Sequence, residues 1–280
     1  MSHLISSISN NIIQAIDLID DQNKNRLFID VRLGEPAEEI ESFREIHILG
    51  AVYAQIRDIF ASPPTLTSGN LPLPSIANLQ IILDNWGVNK NTEIILYGPS
   101  LALAARGWWV LKWASVKNVK ILDGGIKAWI NNGGPVAQGD AAQVLIPPGE
   151  KIVLSAGHLP TIEVNEMAKL DTNKILIDAR DEGSYLAGHI PRALNIPAAN
   201  QWTPASTLRT INEMKKIYSE LIVTSENETI VYCGGGVLSA LTVLILSSIG
   251  INSRLFVGSW SEWNKDSERM ARSASNGRLP

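Results

Sequence analysis

Short, wholly apolar runs alternate along this chain with segments of helical length. Ile94–Tyr97 and Thr229–Tyr232 are rich in residues that favour strands and are too short for helices. Asn78–Trp86 and Ala102–Ala114 are the helix-length segments around the first run, and Asn212–Leu221 and Val237–Ser248 those around the second. Strands that are apolar on both faces and separated by helices predict parallel sheet covered on both sides, an α/β fold. The most apolar stretch, Val237–Ile249, has Ser239, Thr242, Ser247 and Ser248 in it. It falls well short of the ~20 apolar residues that span a bilayer, so it predicts a buried helix.

The alternation occurs twice. Leu27-Phe-Ile-Asp-Val-Arg32 matches Ile175-Leu-Ile-Asp-Ala-Arg180, and His47-Ile-Leu-Gly-Ala51 matches His189-Ile-Pro-Arg-Ala193. Ile94-Ile-Leu-Tyr-Gly98 matches Thr229-Ile-Val-Tyr-Cys233, and Leu122-Asp-Gly-Gly-Ile-Lys-Ala-Trp129 matches Phe256-Val-Gly-Ser-Trp-Ser-Glu-Trp263. The matches keep their order, and their separation shrinks along the chain, so the second copy has shorter loops. Two tandem domains are expected, each a parallel sheet with helices on both faces: 1–140, then a linker at 141–157, then 158–280. The linker lies in the stretch Ala137–Gly157, whose Pro147-Pro148-Gly149 suits a connection.

Composition narrows the classes of function. The 280 residues are 45% hydrophobic and 19% charged, enough apolar material for a core in each copy. The net charge of −4, with neither sign gathered into long runs, argues against nucleic acid or an anionic membrane as partner. The opening residues, MSHLISSISN, lack the basic region and apolar stretch of a secretory signal, which gives a cytoplasmic expectation. Cys233 is the sole cysteine, so there is neither an intrachain disulfide nor a cysteine-rich metal site.

That cysteine closes a strand and is followed by Gly234-Gly235-Gly236 and then by the apolar helix. Ligands of open α/β sheets bind outside the carboxyl ends of strands. Three glycines let consecutive N–H groups curl into a nest for an anion, and a helix amino terminus adds positive potential. The dipole alone contributes about 0.3–1 kcal/mol, less than the roughly 1.4 kcal/mol of a tenfold change in an ionisation equilibrium. Direct N–H donation to sulfur must therefore do most of the activation. A buried cysteine is more often a small hydrophobe beside a tight turn. Three successive glycines offer no packing, however, and are costly to order unless backbone approaches something, which favours a reactive thiol.

Together, Val231-Tyr-Cys233, the loop Cys233-Gly-Gly-Gly-Val-Leu-Ser239, Gly188-His-Ile-Pro191 and Gly258-Ser-Trp-Ser-Glu-Trp263 resemble the tandem-domain rhodanese-type sulfurtransferases, the thiosulfate and 3-mercaptopyruvate sulfurtransferase family. The first copy carries Asp30-Val-Arg32, Trp108-Trp109 and Leu122-Asp-Gly-Gly125 where that family's inactive domain would, with Gly98 at the cysteine position. The resemblance implies that Cys233 takes a sulfane sulfur from a small-molecule donor, thiosulfate or 3-mercaptopyruvate. Cys233 would then pass it as a persulfide to a thiol or cyanide, without metal or organic cofactor. Gly234, Gly235, Gly236, Val237, Leu238 and Ser239 would bind the substrate, with Arg180 beside the loop orienting it or the anion. The loop departs from both familiar patterns. It has no basic residue, and Gly235 stands where mercaptopyruvate-preferring members carry a serine or threonine. Ser184 replaces the substrate-binding arginine, Arg57 stands near an acidic position, and Thr67–Pro74 has no histidine. A low-turnover persulfide carrier or a non-catalytic binding module is the alternative. A phosphatase would need arginine where Ser239 stands.

The other candidates have plainer readings. His47 and His189 recur in both copies, one of which lacks the cysteine, so they are expected to hold a turn. Asp178 and Arg180 likewise have counterparts in Asp30 and Arg32. Trp108, Trp109, Trp113, Trp260 and Trp263 are expected in the core, with Trp260 able to border the pocket. The basic tail from Arg269 to Pro280 is expected to be a loosely ordered terminus.

Overall fold

The computed structural model describes residues 10–21, 23–142, 146–220 and 228–275. Residues 1–9, 143–145 of the linker, Leu221 of the expected helix and 276–280 of the tail lie outside the described residues.

In the first copy, β1 (Ile12–Ile13), β2 (Arg26–Arg32), β4 (Val52–Gln55), β5 (Glu93–Tyr97) and β6 (Val119–Leu122) form one parallel sheet in the order β1-β6-β5-β2-β4. A separate antiparallel pair joins β3 (His47–Ile48) to β7 (Val136–Ala137), the latter just ahead of the expected linker. Every residue of β5 is buried, as the apolar run Ile94–Tyr97 requires for a strand covered on both faces. The helix Leu101–Trp113 is buried nearly all round and includes Trp108, Trp109 and Trp113, which are core. Arg106, fully buried in the same helix, donates to the Phe60 carbonyl at 3.0 Å.

In the second copy, β8 (Ile175–Asp178), β9 (Leu194–Asn195), β10 (Thr229–Tyr232) and β11 (Ser253–Leu255) form a parallel sheet in the order β11-β10-β8-β9. The counterpart of β1 shrinks to a single parallel bridge, Thr161 with Leu255. Both copies are thus parallel sheets flanked by helices. The helix Leu238–Ser248 is buried through Leu246, and no described helix is long and apolar enough to cross a membrane. Corresponding helices start and stop within one or two residues of the expected segments, at Ile76–Asn85, Leu101–Trp113, Ile211–Glu220 and Leu238–Ser248.

The described chain divides into two compact units that are not its contiguous halves. One gathers the residues up to Ala61 with Pro74–His158 and Pro204–Leu208. The other gathers Ser62–Leu73, Leu159–Thr203 and Arg209 onward. Residues 147–158 are stitched to the first unit. Asn89 donates to the Pro147 carbonyl (3.0 Å), the Lys90 amide to Glu150 (2.8 Å) and the His158 amide to Trp113 (3.1 Å), while Gln80 pairs with both Ile152 and Leu154. Bounds at 140 and 158 remain a proposal about the repeat; compactness follows a different line.

The charged feet of the two sheets repeat as well. Glu93, at the start of β5, accepts from Arg26 on β2 (2.7 and 2.9 Å) and Lys120 on β6 (2.7 Å). Glu228, just before β10, pairs with Lys174 beside β8 and with Arg254 on β11 (3.1 Å). One strand register built twice places a carboxylate between two cations each time.

The tail is more ordered than expected. Ser267–Ser275 is helical, and Arg269 donates to the carbonyls of Trp263 (2.9 Å) and Glu262 (2.8 Å) with its guanidinium 5.8 Å from the Trp263 ring. The arginine satisfies carbonyls exposed at the end of the preceding helix Ser259–Trp263, which fastens the segment.

Candidate active site

Cys233 follows β10 directly and is 2% exposed. Its Sγ accepts the Gly236 amide at 3.1 Å and the Ser239 hydroxyl at 3.3 Å. Two donors converge on sulfur from the loop and from the first turn of the helix Leu238–Ser248. Such donors hold firmly any charge the sulfur carries, since hydrogen bonds to an ionised acceptor are about twice as strong as neutral ones.

The glycines differ in what they supply. Gly236 alone of the three sits at positive φ, +84°, where a side chain is strained. A Cβ on Gly234 would meet nothing within 4 Å, and one on Gly235 would touch Asn70 and Leu71 at an ordinary 3.9 Å. The curl of the loop is made at Gly236, while Gly234 faces open space. Val237 stands at the helix start, Leu238 opens the helix, and Ser239 is fully buried against Sγ.

The backbone of the nucleophile is clamped from the segment Ser259–Trp263, in which the sequence pattern singles out only the tryptophans. Ser259 Oγ accepts from the Cys233 amide (3.2 Å) and donates to the Phe256 carbonyl (2.9 Å). The Trp260 and Ser261 amides donate to the carbonyls of Cys233 and Gly234, both at 2.9 Å. Ser261 Oγ in turn accepts the Asn70 amide at 2.9 Å, which holds the segment that flanks Gly235. A signal for Ser259 did exist in the repeat. It aligns with Gly125, and both sit in the left-handed region, at φ 54° and 55°.

Arg180 is held in a buried network behind the loop. Its guanidinium bonds both Asp178 oxygens (2.6 to 3.1 Å) and the Gly188 carbonyl (2.7 Å), and lies 4.8 Å from the Trp260 ring. Tyr232 completes the group, donating to Asp178 (2.6 Å) and accepting the Ile190 amide (3.0 Å). Burial, then the Asp178 charge, push the Tyr232 phenol far up, so it stays a donor at every pH the protein meets. Asp30, Arg32 and Tyr97 repeat this network around the Ile48 amide. The histidines are repeated too. His47 and His189 each bond the carbonyl four residues back, at 3.0 Å, and stack on Phe43 and Tyr185. They hold turns, as expected.

Ser184 donates its amide and hydroxyl to Asp181, the N-cap of the helix Glu182–Ala187, and these bonds hold the Asp181 carboxyl below its usual range. Arg57 is exposed and donates to Gly34. In the first unit a cavity of about 80 Å³ lies over the counterpart loop, lined by Gly98, Pro99, Ser100, Gly125, Lys127 and Ser206. It has the position of a site without the thiol. A Cβ on Gly98 would stand 2.2 Å from the Val31 carbonyl oxygen, so the first copy's loop has closed onto β2.

Comparison with known proteins agrees with this geometry. A model of the rhodanese-like domain matches the chain twice, over residues 14–132 and 163–266. A Mycobacterium tuberculosis (strain H37Rv) protein named "Putative thiosulfate sulfurtransferase SseB" is 30% identical over 253 residues, 85% of this chain and 87% of its own length. The 3-mercaptopyruvate sulfurtransferase of Escherichia coli K12 is 30% identical over 263 residues, 84% of this chain and 88% of its own. The crystal structure of SseA from Escherichia coli superposes with a TM-score of 0.75 at 27% identity, covering 90% of this chain and 99% of that one. With two matched domains and relatives of this kind along most of its length, the chain belongs to the rhodanese-like family, as a tandem-domain enzyme of the sulfurtransferase type.

Proposed function

We propose that the enzyme moves sulfur from a small-molecule donor, thiosulfate or 3-mercaptopyruvate, through a persulfide on Cys233 to a thiol or cyanide. The observation that carries this reading is the pair of donors on Sγ at the carboxyl end of β10. In the first step the Cys233 thiolate attacks the donor's terminal sulfur. A sulfur–sulfur bond forms to Sγ, the bond to the rest of the donor breaks, and its electron pair leaves as sulfite or as the enolate of pyruvate. In the second step the acceptor attacks the outer sulfur and Sγ departs as thiolate. Both are displacements at sulfur, for which a soft nucleophile and fixed hydrogen-bond donors suffice.

In this reading Gly234 to Ser239 form the anion-binding loop, and the open space at Gly234 takes the donor. Arg180 acts as a positioning residue: it holds Asp178 and the Gly188 carbonyl and braces Trp260, whose amide holds the Cys233 carbonyl. A slow persulfide carrier is the second reading, and Ser184 favours it, because its hydroxyl is bonded to the helix cap Asp181 and brings no guanidinium to a donor's anionic group.

The test is intact-protein mass spectrometry after incubation with thiosulfate or 3-mercaptopyruvate. One added sulfur is expected on the wild type and none on Cys233→Ser, whose fold is retained by its thermal midpoint. Sulfur transfer by the Cys233→Ser variant at near wild-type rate would end the proposal.

A further inference from the structure

Within Cys233–Ser239 the only hydroxyl is that of Ser239, and it points at the reacting atom. It is fully buried, it sits in the first turn of the helix behind the loop, and its bond to Sγ measures 3.3 Å. A thiolate sulfur can only accept, so the hydroxyl donates. Resting on the persulfide chemistry proposed above, we propose that Ser239 is a catalytic residue chiefly of the second half-reaction, in which the acceptor removes the outer sulfur and the charge returns to Sγ.

The asymmetry follows from where the charge sits. In the persulfide the negative charge lies on the outer sulfur, and Sγ is a weak acceptor. As the acceptor bonds to the outer sulfur and the sulfur–sulfur bond breaks, a full charge develops on Sγ, and the hydroxyl bond strengthens by about twofold. The bond is therefore stronger in the transition state than in the reactant, which is the condition for acceleration. During loading the same bond stabilises the reactant. The charge leaves Sγ as loading proceeds, so the bond weakens toward that transition state and gives loading no acceleration. The Gly236 amide is a donor of the same kind, but it is backbone and cannot be removed by substitution. Ser239 is the part of the pair that mutation can separate.

The experiment compares the wild type with Ser239→Ala and Ser239→Thr, each shown folded by its thermal midpoint. Cys233 is loaded with inorganic polysulfide, the persulfide is confirmed by intact mass, and discharge to cyanide is followed as thiocyanate in a stopped-flow mixer. Loading by thiosulfate is timed separately. Ser239→Ala should discharge about tenfold more slowly and load with a change under about threefold, from the loss of one charge-assisted hydrogen bond. Ser239→Thr should restore discharge. Discharge by Ser239→Ala within about twofold of wild type, equal slowing of both half-reactions, or no recovery in a folded Ser239→Thr each overturn the inference. Failure of thiosulfate and 3-mercaptopyruvate to load the wild type would instead overturn the proposed donors, and the polysulfide-loaded comparison would still judge Ser239. Failure of polysulfide to load Cys233 would overturn both.

Discussion

A left-handed backbone conformation costs a non-glycine residue about 1–2 kcal/mol. The first copy avoids that cost with Gly125, whereas the second bears it at Ser259. What offsets it is the pair of hydrogen bonds from one hydroxyl, to the buried Cys233 amide and to the Phe256 carbonyl. Ser259→Ala keeps the strain and loses both bonds, leaving an N–H without a partner beside the nucleophile, and should destabilise by about 2 kcal/mol. Ser259→Gly loses the same bonds but relieves the strain, and should cost roughly 1 kcal/mol less than the alanine variant. Urea midpoints of the two variants measure this; an alanine variant as stable as the glycine variant would refute it. At this scale the sequence exposes Cys233 and its glycines because their chemistry is local. It conceals the bond between Ser261 and Asn70, which lie far apart in the chain. Arg180 lies between these cases. Its pairing with Asp178 two residues away is readable, but the Gly188 carbonyl and the Trp260 ring that complete its surroundings are not.

The loops after β5 and β10 show how one element diverged. After β10 the chain curls at Gly236 and leaves room at Gly234; after β5 it presses against β2 so closely that Gly98 has no space for a side chain. Restoring a cysteine there should not restore a site. Gly98→Cys drives Cβ into the Val31 carbonyl and should destabilise by about 3 kcal/mol. Combined with Cys233→Ser it should take up no sulfur by intact mass, and a persulfide on the introduced thiol of that double variant would contradict this account. The longer elements were legible because β5, β10 and the helices after them are predominantly apolar. The two-residue strands β3, β7 and β9 are too short for any period, and only the paths of their neighbours define them. The helix Ser267–Ser275 was missed for another reason: a polar, basic composition suggests a solvated tail, and the carbonyls that anchor Arg269 belong to the preceding helix.

Across the whole molecule the duplicated carboxylates set a common response to acid. Burial pushes the Glu93 carboxyl up, but the hydrogen bonds from Lys120 and Arg26 outweigh it and hold the group below its usual range. Glu228 is lowered too, chiefly by Lys174 and Arg254. A carboxyl depressed by folding binds its proton more tightly in the unfolded chain. Its contribution is therefore present above the unfolded value and lost as pH falls through the folded one. The Glu93 side chain is 9% exposed and that of Glu228 is 37%. Glu93→Gln should thus cost about 2 kcal/mol at pH 7, and Glu228→Gln less than about 1 kcal/mol. Both differences should vanish as the wild type becomes protonated, so urea titrations at neutral and strongly acidic pH provide the check, and a pH-independent difference would contradict it. The reciprocal exchange of segments, Ser62–Leu73 with the second unit and Pro204–Leu208 with the first, has a consequence for the order of synthesis. As the chain emerges from the ribosome, the first unit waits for Leu208 before its last segment exists. Ser62–Leu73 emerges well before the rest of the unit it joins. Neither half can finish folding while the other is still unmade, and a nascent chain halted near His158 would hold one unit incomplete and one orphaned strip of the other.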